Sequence, residues 1–163
     1  MSEIFIPSQV ISGGQTGVDR AALDWAIGIG VPHGGWCPRG RRAEDGPLDA
    51  KYLLQELPSP NYADRTRRNV EDSDATLILY GSKLEGGTLL TARHAEAVGK
   101  PFCKVRLHGP KPIRRVREWL DAVRPQSLNV AGPRGSTNPR IYSLATAYLH
   151  ELFGTAEGKL FVV

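Results

Sequence analysis

Cysteine is scarce in this chain: Cys37 and Cys103 are the two among 163 residues. That excludes a disulfide framework and points to a reducing, cytoplasmic setting. Histidine is thinly spread as well. His33, His94, His108 and His150 stand without ligand spacing, and no C-x-x-C occurs, so no metal site is expected. No apolar run approaches the ~18 residues of a membrane span. The stretch Met1 to Ile6 has no basic start, long apolar segment or cleavage site, so neither a membrane nor export is expected. Aromatic residues make up 7% and do not interleave with the basic ones, which leaves no stacking platform for nucleic acid. The chain also lacks G-x-G-x-x-G and G-x-x-x-x-G-K-[ST]. Nicotinamide dehydrogenases and P-loop NTPases are thereby poor readings.

What remains is the composition of an ordinary folded chain, 40% hydrophobic and 23% charged, long enough for a core of its own. One ligand-binding domain is expected over residues 9–153, with a tail at 154–163. The formal net charge is +4, and 15 of the 21 basic residues are arginine. Arginine's planar fork grips phosphate and carboxylate at two points, so an anionic partner is favoured.

Short apolar runs alternate with helical patterns. Gln9–Ser12 reads as a strand, and Gly17 to Ile29 as a largely apolar helix closed by Gly30. A second strand is expected over His33–Cys37, then an irregular, Gly- and Pro-rich segment from Pro38 to Pro60 whose length suggests function. Asn61–Asp72 reads as a polar helix on which Arg65, Arg67 and Arg68 pair with Asp64, Glu71 and Asp72. Ala75–Tyr80 is the clearest strand, a continuous apolar run of the kind buried in parallel sheets. A helix opening at Gly86, a strand over Pro101–Leu107, a helix through Ile113 to Val123 and a strand over Ser127–Ala131 follow. Ile141, Leu144, Ala145, Tyr148, Leu149 and Leu152 then mark a packed last helix. Five such alternations predict a Rossmann-like α/β fold, a doubly wound parallel sheet with helices on both faces.

Ligands of such sheets bind at the carboxyl ends of the strands, and three glycine-bearing turns fall there: Ser12–Gly17, Glu85–Thr88 and Ala131–Arg134. Glycine lets backbone N–H groups approach an oxyanion, and a following helix adds partial positive charge. The candidate binding residues are Gly13, Gly14, Gln15, Thr16, Gly17 and Arg20 in the first turn, and Gly86, Gly87 and Thr88 in the second. Asn129, on the strand that leads into the third turn, and Arg134, within that turn, are candidates too, with Arg39 from the segment after the second strand. Arginines supply charge-assisted contacts. No catalytic set stands out.

The stretches Ser12 to Ala22 (SGGQTGVDRAA), Gly34 to Gly46 (GGWCPRGRRAEDG) and Leu128 to Arg134 (LNVAGPR) together resemble the molybdenum carrier family. That resemblance implies a Rossmann-like binding protein for the molybdenum cofactor (molybdopterin), without a catalytic cycle. It also implies a homo-oligomer, a tetramer, with molybdoenzymes or cofactor-synthesis proteins as partners. Gly135 stands where that family's pattern carries an acid. More distantly, Gly86-Gly87-Thr88 resembles the P-G-G-x-G-T-x-x-E turn of phosphoribohydrolases acting on nucleoside monophosphates. Here Glu85 replaces the proline, the inner glycine is missing and Thr91 replaces the acid. A nucleotide hydrolase and a nucleotide-sensing module are the alternatives.

Overall fold

A computed structural model of the chain describes residues 3–154; the expected tail, from 155 onward, lies outside the described residues. The apolar run Ala75–Tyr80 forms β7, buried from Ala75 through Leu79. It lies between β8 (Phe102–Arg106) and β9 (Ser127–Ala131). With β1 (Gln9–Ile11) and β2 (His33–Gly34) these make one parallel sheet of order β2-β1-β9-β7-β8. In register, Val10 stands beside Leu128, Leu77 beside Val130 and Leu79 beside Val105.

These side chains share one face and a core with α1 (Val18–Ile29), α4 (Ile113–Val123) and α5 (Ile141–Phe153). α1 packs along α5, which explains why α1 is apolar on more than one side. Thr76, Ile78 and Asn129 alternate onto the opposite face, beneath α2 (Tyr62–Glu71) and α3 (Gly86–Ala97), which pack on each other. Asn61 caps α2 by accepting from Ala63 N at 2.9 Å. The expected doubly wound α/β architecture is the one observed. Among the described residues no helix is long and apolar enough to cross a membrane.

The segment expected as one strand, His33–Cys37, is two. β2 pairs with β1, and the chain then leaves the sheet at Gly35, so that β3 (Trp36–Cys37) pairs with β6 (Gln55–Glu56) instead. The cause is local. Gly35 has φ +131°, and a Cβ there would lie 2.2 Å from the Ser12 carbonyl oxygen. The irregular segment after it carries a hairpin, β4 (Arg42–Ala43) with β5 (Gly46–Pro47). A small second core of Leu23, Cys37, Ala43, Leu48, Tyr52 and Leu54 holds this region to the outer side of α1. Asn69 pins α2 to β3, accepting from Trp36 N at 2.8 Å and donating to Trp36 O at 3.0 Å.

Gly35→Ala combines a disfavoured backbone region with a clash against main chain. It is expected to cost at least about 2 kcal/mol of unfolding free energy, seen as a lowered urea midpoint with little change in slope.

Candidate functional site

A cavity of about 510 Å³ opens at the carboxyl ends of β1, β7 and β9, between α2 and α3. That volume suits a small molecule. All three glycine-bearing turns reach it. Of the residues expected there, Gly13, Gln15, Gly86, Gly87, Thr88, Asn129 and Arg134 line it. Gly14, Thr16, Gly17, Arg20 and Arg39 lie outside the lining. Gly14 is turned away, since a side chain there would meet Leu48 and Leu54. Arg20 is committed elsewhere: it donates to Gly14 O and grips Asp45 through both terminal nitrogens, at 3.0 and 3.1 Å. Arg39 is exposed on its loop.

The first turn is built by its own side chains. Ser12 Oγ donates to Asp19 O and accepts from Gly14 N. Asp19, in the first turn of α1, accepts from Gln15 N at 3.4 Å. The Gln15 carboxamide oxygen accepts from Thr16 N at 3.0 Å and from Glu44 N at 2.8 Å. Glu44 thus ties the hairpin tip to the first turn, and it ties the third turn in as well. Its carboxylate accepts from the Thr16 hydroxyl, from Ser136 N at 3.0 Å and from Ser136 Oγ at 2.6 Å, with Arg134 Nη1 3.9 Å away. Burial alone would raise the Glu44 pKa, but hydrogen bonds from Ser136 and Thr16 outweigh it and hold the carboxyl below its usual range.

Two buried charged residues of the cavity lie outside the expected binding set. Arg65, expected on a solvated helix face, is 6% exposed. Its Nη1 donates to Gly13 O at 2.8 Å and lies 4.0 Å from Asp19 Oδ2. Arg67 and Arg68 do pair with Asp64 and Asp72, at 3.5 and 2.9 Å. The available signal was spacing, since Arg65 and Asn69 stand i, i+4 on the stripe that carries Val70. Asp19 is the other. Burial pushes its carboxyl up to about 6, with Arg65 pulling the other way. At the opposite wall, α3 presents Gly86, Gly87 and Thr88 in its first turn. Thr91 is buried and donates to Gly87 O at 2.9 Å. Lys83 and Glu85 stand at the rim.

Cys37 and Cys103 are buried in separate cores, and burial raises both thiols. His33 Nε2 accepts from Leu53 N at 3.0 Å, an ordinary loop contact.

A parallel doubly wound sheet with a polar cleft at its strand ends defines a ligand-binding α/β protein. Residues 10–153 match the circularly permutated YpsA SLOG family, and the chain belongs to it. The permutation is legible in the sheet: counted from β9 as first strand, β2-β1-β9-β7-β8 becomes 3-2-1-4-5, the order of doubly wound dinucleotide folds. The reversal point lies between β9 and β7, where the cavity opens. The crystal structure of a protein named "putative molybdenum carrier protein", from Syntrophus aciditrophicus, matches with a TM-score of 0.87 and 43% identity, covering 91% of this chain and 96% of that one. Among curated proteins none matches.

Burial holds the Asp19 carboxyl at about 6 in the folded chain, against an ordinary value of 3.8. The folded state therefore holds the extra proton between those values, and stability is lost as pH rises through the window. Relative to Asp19→Asn, the wild type is expected to lose up to roughly 3 kcal/mol between pH 4 and pH 7, at about 1.36 kcal/mol per unit. Parallel denaturation curves for the two proteins would show no divergence if Asp19 stayed at its ordinary value.

Proposed function

We propose that this protein binds and carries the molybdenum cofactor, a pterin whose dithiolene holds the metal and whose side chain ends in a phosphate. The observation that carries the reading is the cavity itself. A buried arginine, a second arginine at the rim, three glycine-bearing turns and a helix N-terminus converge on one space of about 510 Å³. One buried donor of a lining residue, Gln15 Nε2, has no hydrogen-bond partner among the described residues. Donors of this kind suit an oxyanion with a heterocycle. The 43% identical protein named as a molybdenum carrier supports the same ligand class.

In this reading Gly86, Gly87 and Thr88 hold the phosphate with backbone N–H groups and a hydroxyl, helped by the partial charge of α3. Arg134 adds a charge-assisted contact from the rim, and Asn129 and Gln15 face the pterin. The cofactor brings a redox-active metal for the enzyme that receives it. This chain's own residues bind, orient and shield it. The expected partners are molybdoenzymes or the proteins that make the cofactor, and the expected assembly is a homo-tetramer.

Protein purified from a cofactor-competent host is expected to release a pterin and molybdenum on denaturation, read by mass spectrometry of the supernatant. The dithiolene already supplies sulfur to the metal, so Cys37→Ser and Cys103→Ser are each expected to retain the wild-type metal content. Metal at background in the wild type overturns the carrier reading, and metal lost in one variant makes that cysteine a ligand.

A nucleoside monophosphate hydrolase is the second reading, favoured by the two carboxylates of the cavity, Asp19 and Glu85. It needs a group that activates water, a contribution of typically ~10²–10⁴-fold in rate. Thr91 stands where the related hydrolytic motif has its acid. Incubation with common nucleoside monophosphates is therefore expected to yield no multiple-turnover release of free base on chromatography. Steady release that Asp19→Ala or Glu85→Ala abolishes would overturn the carrier reading.

A further inference from the structure

The carboxamide of Gln15 is locked in one orientation. Thr16 N and Glu44 N both donate to its oxygen, at 3.0 and 2.8 Å. A flipped amide would set its own NH₂ against two N–H donors, so the assignment of oxygen and nitrogen is fixed by chemistry. The nitrogen lies on the other branch of the carboxamide, away from those two donors, and Gln15 lines the cavity. The residue is 4% exposed, and Nε2 has no hydrogen-bond partner among the described residues. A buried donor without a partner is unfavourable and rare.

Its surroundings share its polarity. Arg65 lines the same end of the cavity and commits Nη1 to Gly13 O, one of its five N–H groups. Asp19, the acid nearby, already faces Gln15 N and the Arg65 guanidinium. This end of the cavity therefore offers hydrogen-bond donors, as does the first turn of α3 on the opposite wall.

The geometry points to Gln15 as the residue that selects the end of the ligand remote from its phosphate: Nε2 requires an acceptor there, a ring carbonyl or an unprotonated ring nitrogen, and rejects an amine. This role rests on the carrier reading and adds an orientation to it, with the phosphate at α3 and the heterocycle's carbonyl edge at the first turn. Glu44 is a positioning residue. Its backbone N–H fixes the amide, and its hairpin is fastened by Asp45 to Arg20 and by its own carboxylate to Ser136. Selectivity at the first turn thereby depends on a loop distant in sequence.

Gln15→Glu tests this, because it keeps an oxygen for Thr16 N and Glu44 N while replacing the donor by an acceptor. Gln15→Met, of similar length without polar atoms, serves if the glutamate variant fails to fold. The calorimetric probes are hydroxymethylpterin, its diamino analogue with an amine in place of the ring carbonyl, guanosine monophosphate and inorganic phosphate. Wild-type protein is expected to prefer the pterin over the diamino analogue. In the folded variant pterin affinity falls about tenfold or more, Gln15→Glu loses or reverses the preference, and phosphate affinity stays within about twofold. Unchanged pterin affinity and preference overturn the role of Gln15 and leave the carrier reading standing. If the wild type takes guanosine monophosphate but no pterin, the carrier reading falls. The role of Gln15 then stands or falls with whether the substitution weakens the nucleotide. Binding of neither heterocycle overturns both.

Discussion

The cleft depends on one buried contact, the hydrogen bond from Arg65 to the carbonyl of Gly13. An arginine that is 6% exposed has left water, and it returns that cost only through well-placed partners. Here they are a backbone oxygen at 2.8 Å and the Asp19 carboxyl at 4.0 Å. The contact joins α2 to the first turn, so it fixes that wall of the cavity. It also explains Gly13, where a Cβ would meet the Arg65 side chain at 2.3 Å. The glycine makes room for an arginine of the same chain. Asn69, one turn further along α2, holds both main-chain groups of Trp36, so α2 is fixed at two points and Arg65 is held on its target.

A second set of contacts joins the turns to one another. Glu44 and Asp45, at the tip of a hairpin between β4 and β5, reach Thr16, Ser136 and Arg20. Arg20 was expected to face an anion, and the anion it meets is Asp45 of its own chain. This hairpin acts as a strap over the first and third turns. The rim beyond it stays mixed in sign, with Lys83 3.6 Å from Glu85 and Arg134 3.9 Å from Glu44, so the net positive charge of the chain is not concentrated at the mouth. In the proposed reading, selection of an anion falls to the directed donors within: N–H groups of α3, the Thr88 hydroxyl and the buried Arg65.

Periodicity carried most of the fold because the signals were local. Ala75–Tyr80 could only be an interior strand, and the Ile141–Leu152 stripe could only be a packed helix. Three of the cavity's walls were legible for the same reason, since glycine-bearing turns at strand ends are read from neighbours in sequence. What escaped were partnerships across the chain. His33–Cys37 looks like one strand until Gly35 must pass the Ser12 carbonyl. Arg65 looks like Arg67 and Arg68 until α2 is docked, when the same helix turns one arginine inward and two outward. Arg39 has the composition of a phosphate clamp, yet its loop leaves it in solvent. None of these choices is decided within a window of a few residues.

The permuted order adds a constraint of its own. The central strand β9 is the last among the described residues, and it pairs with β1 at one edge and β7 at the other, joining Val10 to Leu128 and Leu77 to Val130. Until it inserts, β1 and β7 have no common neighbour, and the cavity lacks Asn129, Gly132 and Arg134. α5 must also dock on α1, burying Tyr148, Leu149 and Leu152. Completing the ligand site and completing the core are therefore one event, built from non-local pairings, that of β1 with β9 more than a hundred residues apart, and slow to form for that reason. An incomplete chain of this order cannot present a partial cleft to its ligand. For a protein whose proposed task is to hold a fragile anion away from water, binding competence coincides with the finished fold.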